Sequence, residues 1–179
     1  MPIAPLEAAH RAASDVELIA WVDARDELLG ALPRAEVRER GLIGRGTFIL
    51  LFNSQGELCV HRRTLSKALY PGYWDVAAGG MVGAGETYAQ SAARELEEEL
   101  GVSGVDLQFH EKFFFDQPDN HLWCAVFSAV YDGPLRLQPE EVLEARFLSL
   151  AAAEIDSQHK PYCPDSLAAL QRYRRSVGL

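Results

Sequence analysis

The stretch from Gly79 to Val102, GGMVGAGETYAQSAARELEEELGV, constrains the fold of this chain more than any other. Between Thr87 and Leu100, the residues Ala89, Ala92, Ala93, Leu96 and Leu100 recur at three- and four-residue spacing. That spacing predicts one helix with a single apolar stripe. Gly101 ends it, since glycine readily takes the left-handed conformation found just past a helix. The same helix carries Glu95, Glu97, Glu98 and Glu99. At about 100° per residue, Glu95, Glu98 and Glu99 share an arc of roughly 100° beside the stripe, and Glu97 points away. Arg94 stands four residues before Glu98, close enough to pair with it.

Three carboxylates on one helix face repel one another. In water the cost is a few tenths of a kcal/mol per pair, so a solvated acidic face is tolerable. Partly buried, at an effective dielectric of ~20 and ~6 Å separation, each pair costs about 3 kcal/mol. A hard divalent cation removes that cost, and Mg²⁺ suits a site where a few carboxylates and substrate phosphates share the coordination sphere. Charge crowding alone leaves both readings open.

The rest of the chain narrows the class. Its 179 residues suit one globular domain with a sizeable core. A net charge of −9 argues against a nucleic-acid surface but leaves a small anionic substrate open. Cys59, Cys124 and Cys163 are odd in number and far apart, which fits neither a disulfide framework nor a zinc site. No basic-then-apolar leader opens the sequence. No apolar run approaches the ~18 residues of a membrane span. A cytoplasmic protein without membrane or nucleic-acid partners is expected.

Residues 1–14 are rich in Ala and Pro and are expected to form a mobile arm, with residues 15–179 as a single domain. Glu17–Asp23 and Glu27–Pro33 read as a hairpin whose edge suits a homodimer contact. A short helix over Arg34–Gly41 follows. Gly46–Asn53 and Glu57–Arg63 read as strands joined by a turn at Ser54–Gly56. Two further strands follow the glutamate helix, then a turn and strand over Pro139–Leu150. Pro164–Val177 reads as a closing amphipathic helix with Asp165 or Ser166 near its N-cap. Strands and helices in non-alternating order predict an α+β fold.

The spacing of Gly80, Glu86, Arg94-Glu95-Leu96, Glu98-Glu99 and Gly101-Val102 matches the Nudix box at every defined position. The segment therefore resembles the loop–helix–loop of Nudix hydrolases, Mg²⁺-dependent enzymes that cleave nucleoside diphosphates linked to another group. The resemblance implies a mixed β-sheet sandwiched between α-helices. It implies Mg²⁺, or Mn²⁺, held by Glu95, Glu98, Glu99 and the Gly80 carbonyl. Glu98 and Glu95 would carry the catalysis with Arg94 orienting them. Glu86 would brace the loop, join the metal shell or face the substrate. The bland alternative for Glu86 and Arg94 is loop stabilisation.

Upstream, Arg62-Arg63, Leu65-Ser66-Lys67, Pro71-Gly72 and Trp74 resemble the same region of isopentenyl diphosphate isomerases, which use the Nudix fold for a different reaction. By that resemblance Arg63 and Lys67 grip the diphosphate, as planar fork and mobile point charge respectively. Exposed surface cations are the competing reading. The isomerase chemistry does not carry over. Gly79 stands where that family has its protonating cysteine, and Met81 where it has a metal histidine. A second metal histidine falls near Gly44 and an acidic partner near Leu122. Proton transfer across a double bond needs a placed acid and base. The implied protein is an isomerase-like hydrolase of a small-molecule diphosphate, with a nucleotide as the expected substrate. The alternatives are the isomerase itself and a non-catalytic ligand-binding module; an intact box speaks against the latter. Glu140, Glu141 and Glu144 are candidates for an additional acid, with a solvated surface favoured. Tyr70, Tyr73, Trp74 and Phe113–Phe115 are candidates for a base platform, with the phenylalanines favoured as alternating strand residues.

Overall fold

The structure, a computed structural model, describes residues 5–179. Its centre is β3 (Ile43–Phe52), which is covered on both sides. Phe48, Leu50 and Phe52 face one layer, and Ile49 and Leu51 the other. A strand buried on both faces reads as a continuous apolar run, which is what FILLF is. Beside it and parallel lies β7 (Asn120–Val130), in register from Gly44 against Leu122 to Phe52 against Val130. The remaining pairs are antiparallel. β1 (Leu18–Val22) joins the start of β3 and carries β2 (Leu28–Pro33) on its outer edge. β4 (Leu58–Arg63) returns from β3 and pairs with β5 (Trp74–Asp75) and β8 (Val142–Leu148). β6 (Gln108–Gln117) pairs with β7.

Helices close both faces of this mixed sheet. On one side Ala92, Leu96 and Leu100 of α3 (Tyr88–Leu100) pack on Ile49, Leu51, Ala125 and Phe127. On the other, Ala153, Ala169 and Leu170 pack on Phe48, Leu50, Val60 and Val126. They come from α4 (Leu150–His159) and α5 (Pro164–Ser176). Each fully buried leucine contributes about 1.5–3 kcal/mol. This is the expected α+β sandwich. Among the described residues, no helix is long and apolar enough to cross a membrane.

Three local features differ from the sequence expectations. Residues 5–16, expected within or beside a mobile arm, form α1 (Pro5–Val16), which packs against α2 (Arg34–Glu39); residues 1–4 lie outside the described part. The buried side of α3 is rotated from the predicted stripe: Ala89 and Ala93 are exposed, while Ser91 and Glu99 are buried. A methyl group loses little by exposure, so alanine does not set a helix's orientation. Asp165 and Ser166 do lie near the N-cap of α5, just inside the helix, the cap itself being Cys163. Finally, α4 follows β8 directly, capped by the Ser149 hydroxyl accepting from Ala152 N.

Candidate active site

The segment after β5 runs antiparallel beside β3 and β1. Ile49 and Ala78 exchange both backbone hydrogen bonds, Thr47 N donates to Gly80 O at 2.9 Å, and Val82 N donates to Arg45 O at 2.9 Å. Gly79 has φ +148, and a Cβ there would lie 1.9 Å from Thr47 O, so only glycine fits. The chain then enters α3 through a capping box in which Thr87 and Gln90 satisfy each other's backbone N–H groups. Gly101, at φ +69, ends the helix.

Arg94 organises the exposed half of the acidic face. Its guanidinium donates to Glu95 Oε1 at 2.8 Å, Glu98 Oε2 at 3.2 Å and Glu86 Oε2 at 3.1 Å. It also donates to Met81 O at 3.3 Å, tying helix to loop. Glu86 accepts from Gly83 N at 3.2 Å. Glu95 rests against bare backbone: a Cβ on Gly80 would meet its Oε1 at 2.5 Å. Burial pushes the Glu95 carboxyl up to about 7, against the pull of Arg94 and with the added repulsion of Glu141 and Glu98.

Glu99 lies deeper, with its side chain 2% exposed. It accepts from Gly79 N at 3.1 Å, and Lys67 Nζ stands 3.8 Å away. Burial, outweighing Lys67, pushes its carboxyl well above the ordinary range. Glu141, in the turn just before β8, bonds to Glu99, to Lys67 and to His10 Nε2, the last at 2.6 Å. Burial opposes its ionisation, yet Lys67 and these bonds hold it well below the usual carboxylate range.

A cavity of about 570 Å³ opens over this face, within the usual size for a small-molecule site. Gly80, Glu86, Arg94, Glu95, Glu98, Arg63 and Lys67 all line it, so the structure brings the sequence candidates together except Glu99, which is sealed behind Gly79 and Lys67. Neither cation is a free surface charge. Lys67 is bound to Glu141. Arg63 donates to Asp75 Oδ2 at 3.3 Å and Leu69 O at 3.2 Å, and its Nε is sealed without a partner. Asp165 accepts from Ser166 N at 2.9 Å and Asn120 Nδ2 at 3.0 Å. Burial, then repulsion from Asp75, pushes it up to about 6 despite Arg63.

Sequence reasoning missed several of these groups. Glu141, favoured as solvated, has a side chain only 14% exposed. Glu144 does stay on the surface, 3.8 Å from Arg62. Nothing local in PEEVLE marks which acid turns inward, because the burial comes from strand pairing across the fold. His10, Asp75, Asn120 and Asp165 were missed for the same reason. Of the aromatic candidates, Tyr70 lines the cavity. Trp74 is core, its ring centroid 6.3 Å from that of Tyr162. Phe113 and Phe115 are buried and Phe114 is exposed, the strand alternation expected.

Among the described residues, no three Asp, Glu, His or Cys side chains converge on one point as a finished cation cage. The donor set nonetheless fits a hard cation. It consists of oxygens, and burial opposes the ionisation of two of its carboxylates, Glu95 and Glu99, a cost that a bound cation would offset.

The NUDIX domain family model matches residues 42–169. The uncharacterized Nudix hydrolase PA4841 of Pseudomonas aeruginosa is 72% identical over 165 residues, covering 92% of this chain and 98% of that one. YfcD of Escherichia coli K12, also named an uncharacterized Nudix hydrolase, is 38% identical over 161 residues, covering 90% and 88%. Among solved structures, DR0079 from Deinococcus radiodurans has a TM-score of 0.74 at 29% identity, covering 88% of this chain and 100% of its own. With Gly80, Glu86, Arg94, Glu95 and Glu98 lining one cavity and these relatives spanning nearly its whole length, the chain belongs to the Nudix hydrolase family.

Proposed function

We propose that this chain hydrolyses the phosphoanhydride bond of a nucleoside diphosphate linked to a second group, with Mg²⁺ or Mn²⁺ as cofactor. The observation that carries this reading is the buried Glu95 carboxylate on the floor of a cavity that also exposes Glu98, Arg94 and Lys67, with Glu99 sealed behind Gly79 and Lys67. Glu95, Glu98, Glu99 and the Gly80 carbonyl would hold the cation. Bound there, it supplies charge neutralisation and polarises phosphoryl oxygens. Arg94 holds Glu95 and Glu98 in place through its fork of donors. Glu98, with its side chain 51% exposed, is the acid best placed to take a proton from an attacking water. Lys67 and Arg63 offset charge on the diphosphate, each in exchange with a carboxylate it now holds. Glu141 sets the position of Lys67 and adds an acid beside Glu99.

The isomerase-like segment belongs to the same proposal as a diphosphate seat without isomerase chemistry. A Cβ on Gly44 would meet Met81 Cε at 2.3 Å and Leu122 Cδ1 at 3.6 Å, so three positions where the isomerase resemblance expects polar groups form one apolar wall. Cys124 is fully buried, and burial raises its thiol further. No proton donor stands there for an alkene.

The test is phosphate release, after phosphatase coupling, from a panel of nucleoside diphosphate derivatives with Mg²⁺ or Mn²⁺. Turnover should depend on the metal, and Glu98→Gln should reduce it ~10²-fold while the fold persists, as for loss of one electrostatic stabiliser. Absence of metal-dependent turnover across the panel would remove the proposal.

A further inference from the structure

The part of the cavity lined by Tyr70, Asn120 and Asp165 carries polar groups that the hydrolytic chemistry does not use. Asn120 opens β7 and is 8% exposed. Its amide nitrogen donates to Asp165 Oδ2 at 3.0 Å and to the Tyr70 hydroxyl at 3.2 Å. The carboxylate fixes which way the amide faces, because it accepts and the NH₂ donates. The Asn120 Oδ1 then has no partner among the described residues, in a side chain that lines the cavity. Tyr70 has accepted from Asn120, so its own proton is free to donate. It is held at φ +52, a conformation that side-chain-bearing residues adopt only where the surroundings enforce it. Asp165 has one bond on each oxygen and a further lone pair on each.

Charge and valence together select a ligand. Two acceptors, Asn120 Oδ1 and the Asp165 carboxylate, stand beside the Tyr70 donor, and a phosphate, which brings only acceptor oxygens and negative charge, suits neither acceptor. An ammonium group would satisfy the acceptors but has nothing to receive the Tyr70 proton. A hydroxyl both donates and accepts. Two neighbouring hydroxyls could donate to Asn120 Oδ1 and Asp165 while one accepts from Tyr70.

We propose that Tyr70, Asn120 and Asp165 form a subsite for a vicinal diol, the hydroxyl pair of a sugar ring joined to the diphosphate. The proposal deepens the hydrolase reading and rests on it for which end of the cavity takes the phosphates. The diol has two sources, the ribose of the nucleoside or a sugar on the far side of the diphosphate.

Three ligands separate these sources. Thymidine triphosphate has no vicinal diol, uridine triphosphate has one on its ribose, and thymidine diphosphate glucose has vicinal hydroxyls on its glucose alone. The wild-type protein should prefer at least one diol-bearing ligand to thymidine triphosphate by about tenfold or more in kcat/KM, the worth of a hydrogen bond made to a buried polar group. Whichever ligand is preferred names the source. Tyr70→Phe, which removes only a hydroxyl, and Asn120→Ala should each collapse that ratio, chiefly through KM. Melting temperatures of both variants show whether they fold. No wild-type preference, or a preference kept in both folded variants, overturns the subsite. If none of the three is hydrolysed, calorimetric Kd ratios for the same ligands and variants decide. A diol-dependent Kd lost in Tyr70→Phe keeps the subsite and leaves the hydrolase reading to the wider panel, and no diol dependence overturns the subsite itself.

Discussion

Arg63 and Asp75 are both shielded from solvent, with side chains 14% and 9% exposed and their nearest atoms 3.3 Å apart. Removing one partner of a buried ion pair leaves the other's charge unbalanced in a poor solvent for it. Here the consequence is compounded, because Asp165 already feels Asp75 and depends on Arg63 to moderate that repulsion. Arg63→Ala should therefore destabilise the ligand-free protein by roughly 3–5 kcal/mol, read as a lower urea midpoint. A variant that unfolds with the wild type, yet binds diphosphate less tightly, would make Arg63 a ligand contact with no structural part. Lys67 differs in kind: it is a point charge on a flexible stem, held by Glu141 and near Glu99, and can swing toward an arriving phosphate.

Helix α3 is fixed at both ends by backbone chemistry rather than by its acids. The Thr87 hydroxyl accepts from Gln90 N at 3.2 Å, and the Gln90 side chain accepts from Thr87 N at 2.9 Å. Thr87→Ala should cost about 1 kcal/mol of stability, measured by denaturant unfolding, with the glutamates two turns further on left in place. An unchanged unfolding midpoint would mean that packing of Ala92, Leu96 and Leu100 alone sets the helix start. The existence of this helix was legible in the sequence because its leucines, its terminal glycine and its box spacing all agree. Its rotation was not. Hydropathy assigns Glu99 to the surface, whereas Gly79 N, Lys67 and Glu141 draw it inward. Helix α1 was illegible for a related reason. None of its residues is buried, and it is held by polar ties such as Arg34 to Ser14, Arg38 to Asp15 and His10 to Glu141. Helix α4 buries only Ala153, which leaves no stripe to read. The sheet was readable strand by strand, but the parallel pairing of β3 with β7 joins segments some seventy-eight residues apart, as Gly44 and Leu122 show. That pairing brings Asn120 to the cavity.

At the scale of the whole molecule, buried titratable groups link stability to pH. His61 lies on β4, 2% exposed, facing Asp75, Arg63, Lys67 and Glu141. Burial lowers its imidazole from 6.5 to about 4, outweighing the upward pull of Asp75. Between those values the unfolded chain binds a proton there that the folded chain does not, so stability falls as pH drops from 6.5 toward 4. Asp165 acts in the opposite sense. Its folded value of about 6 stands above the ordinary 3.8, so in that window the folded chain binds the extra proton and stability rises as pH falls. The two contributions oppose each other over the shared range, and the wild-type curve alone cannot separate them. Paired variants can. The stability difference between wild type and His61→Gln should be constant above pH 6.5, since any repacking cost is independent of pH. It should then shift against the wild type by up to about 3 kcal/mol toward pH 4, at about 1.4 kcal/mol per unit of displaced pKa. The difference between wild type and Asp165→Asn should shift in favour of the wild type over pH 6 to 4 by a similar amount. Both curves come from urea unfolding at fixed ionic strength without divalent cation. A His61→Gln difference that stays flat through pH 5 would mean the imidazole accepts its proton inside the fold, and the buried face of β4 would then have to reach solvent.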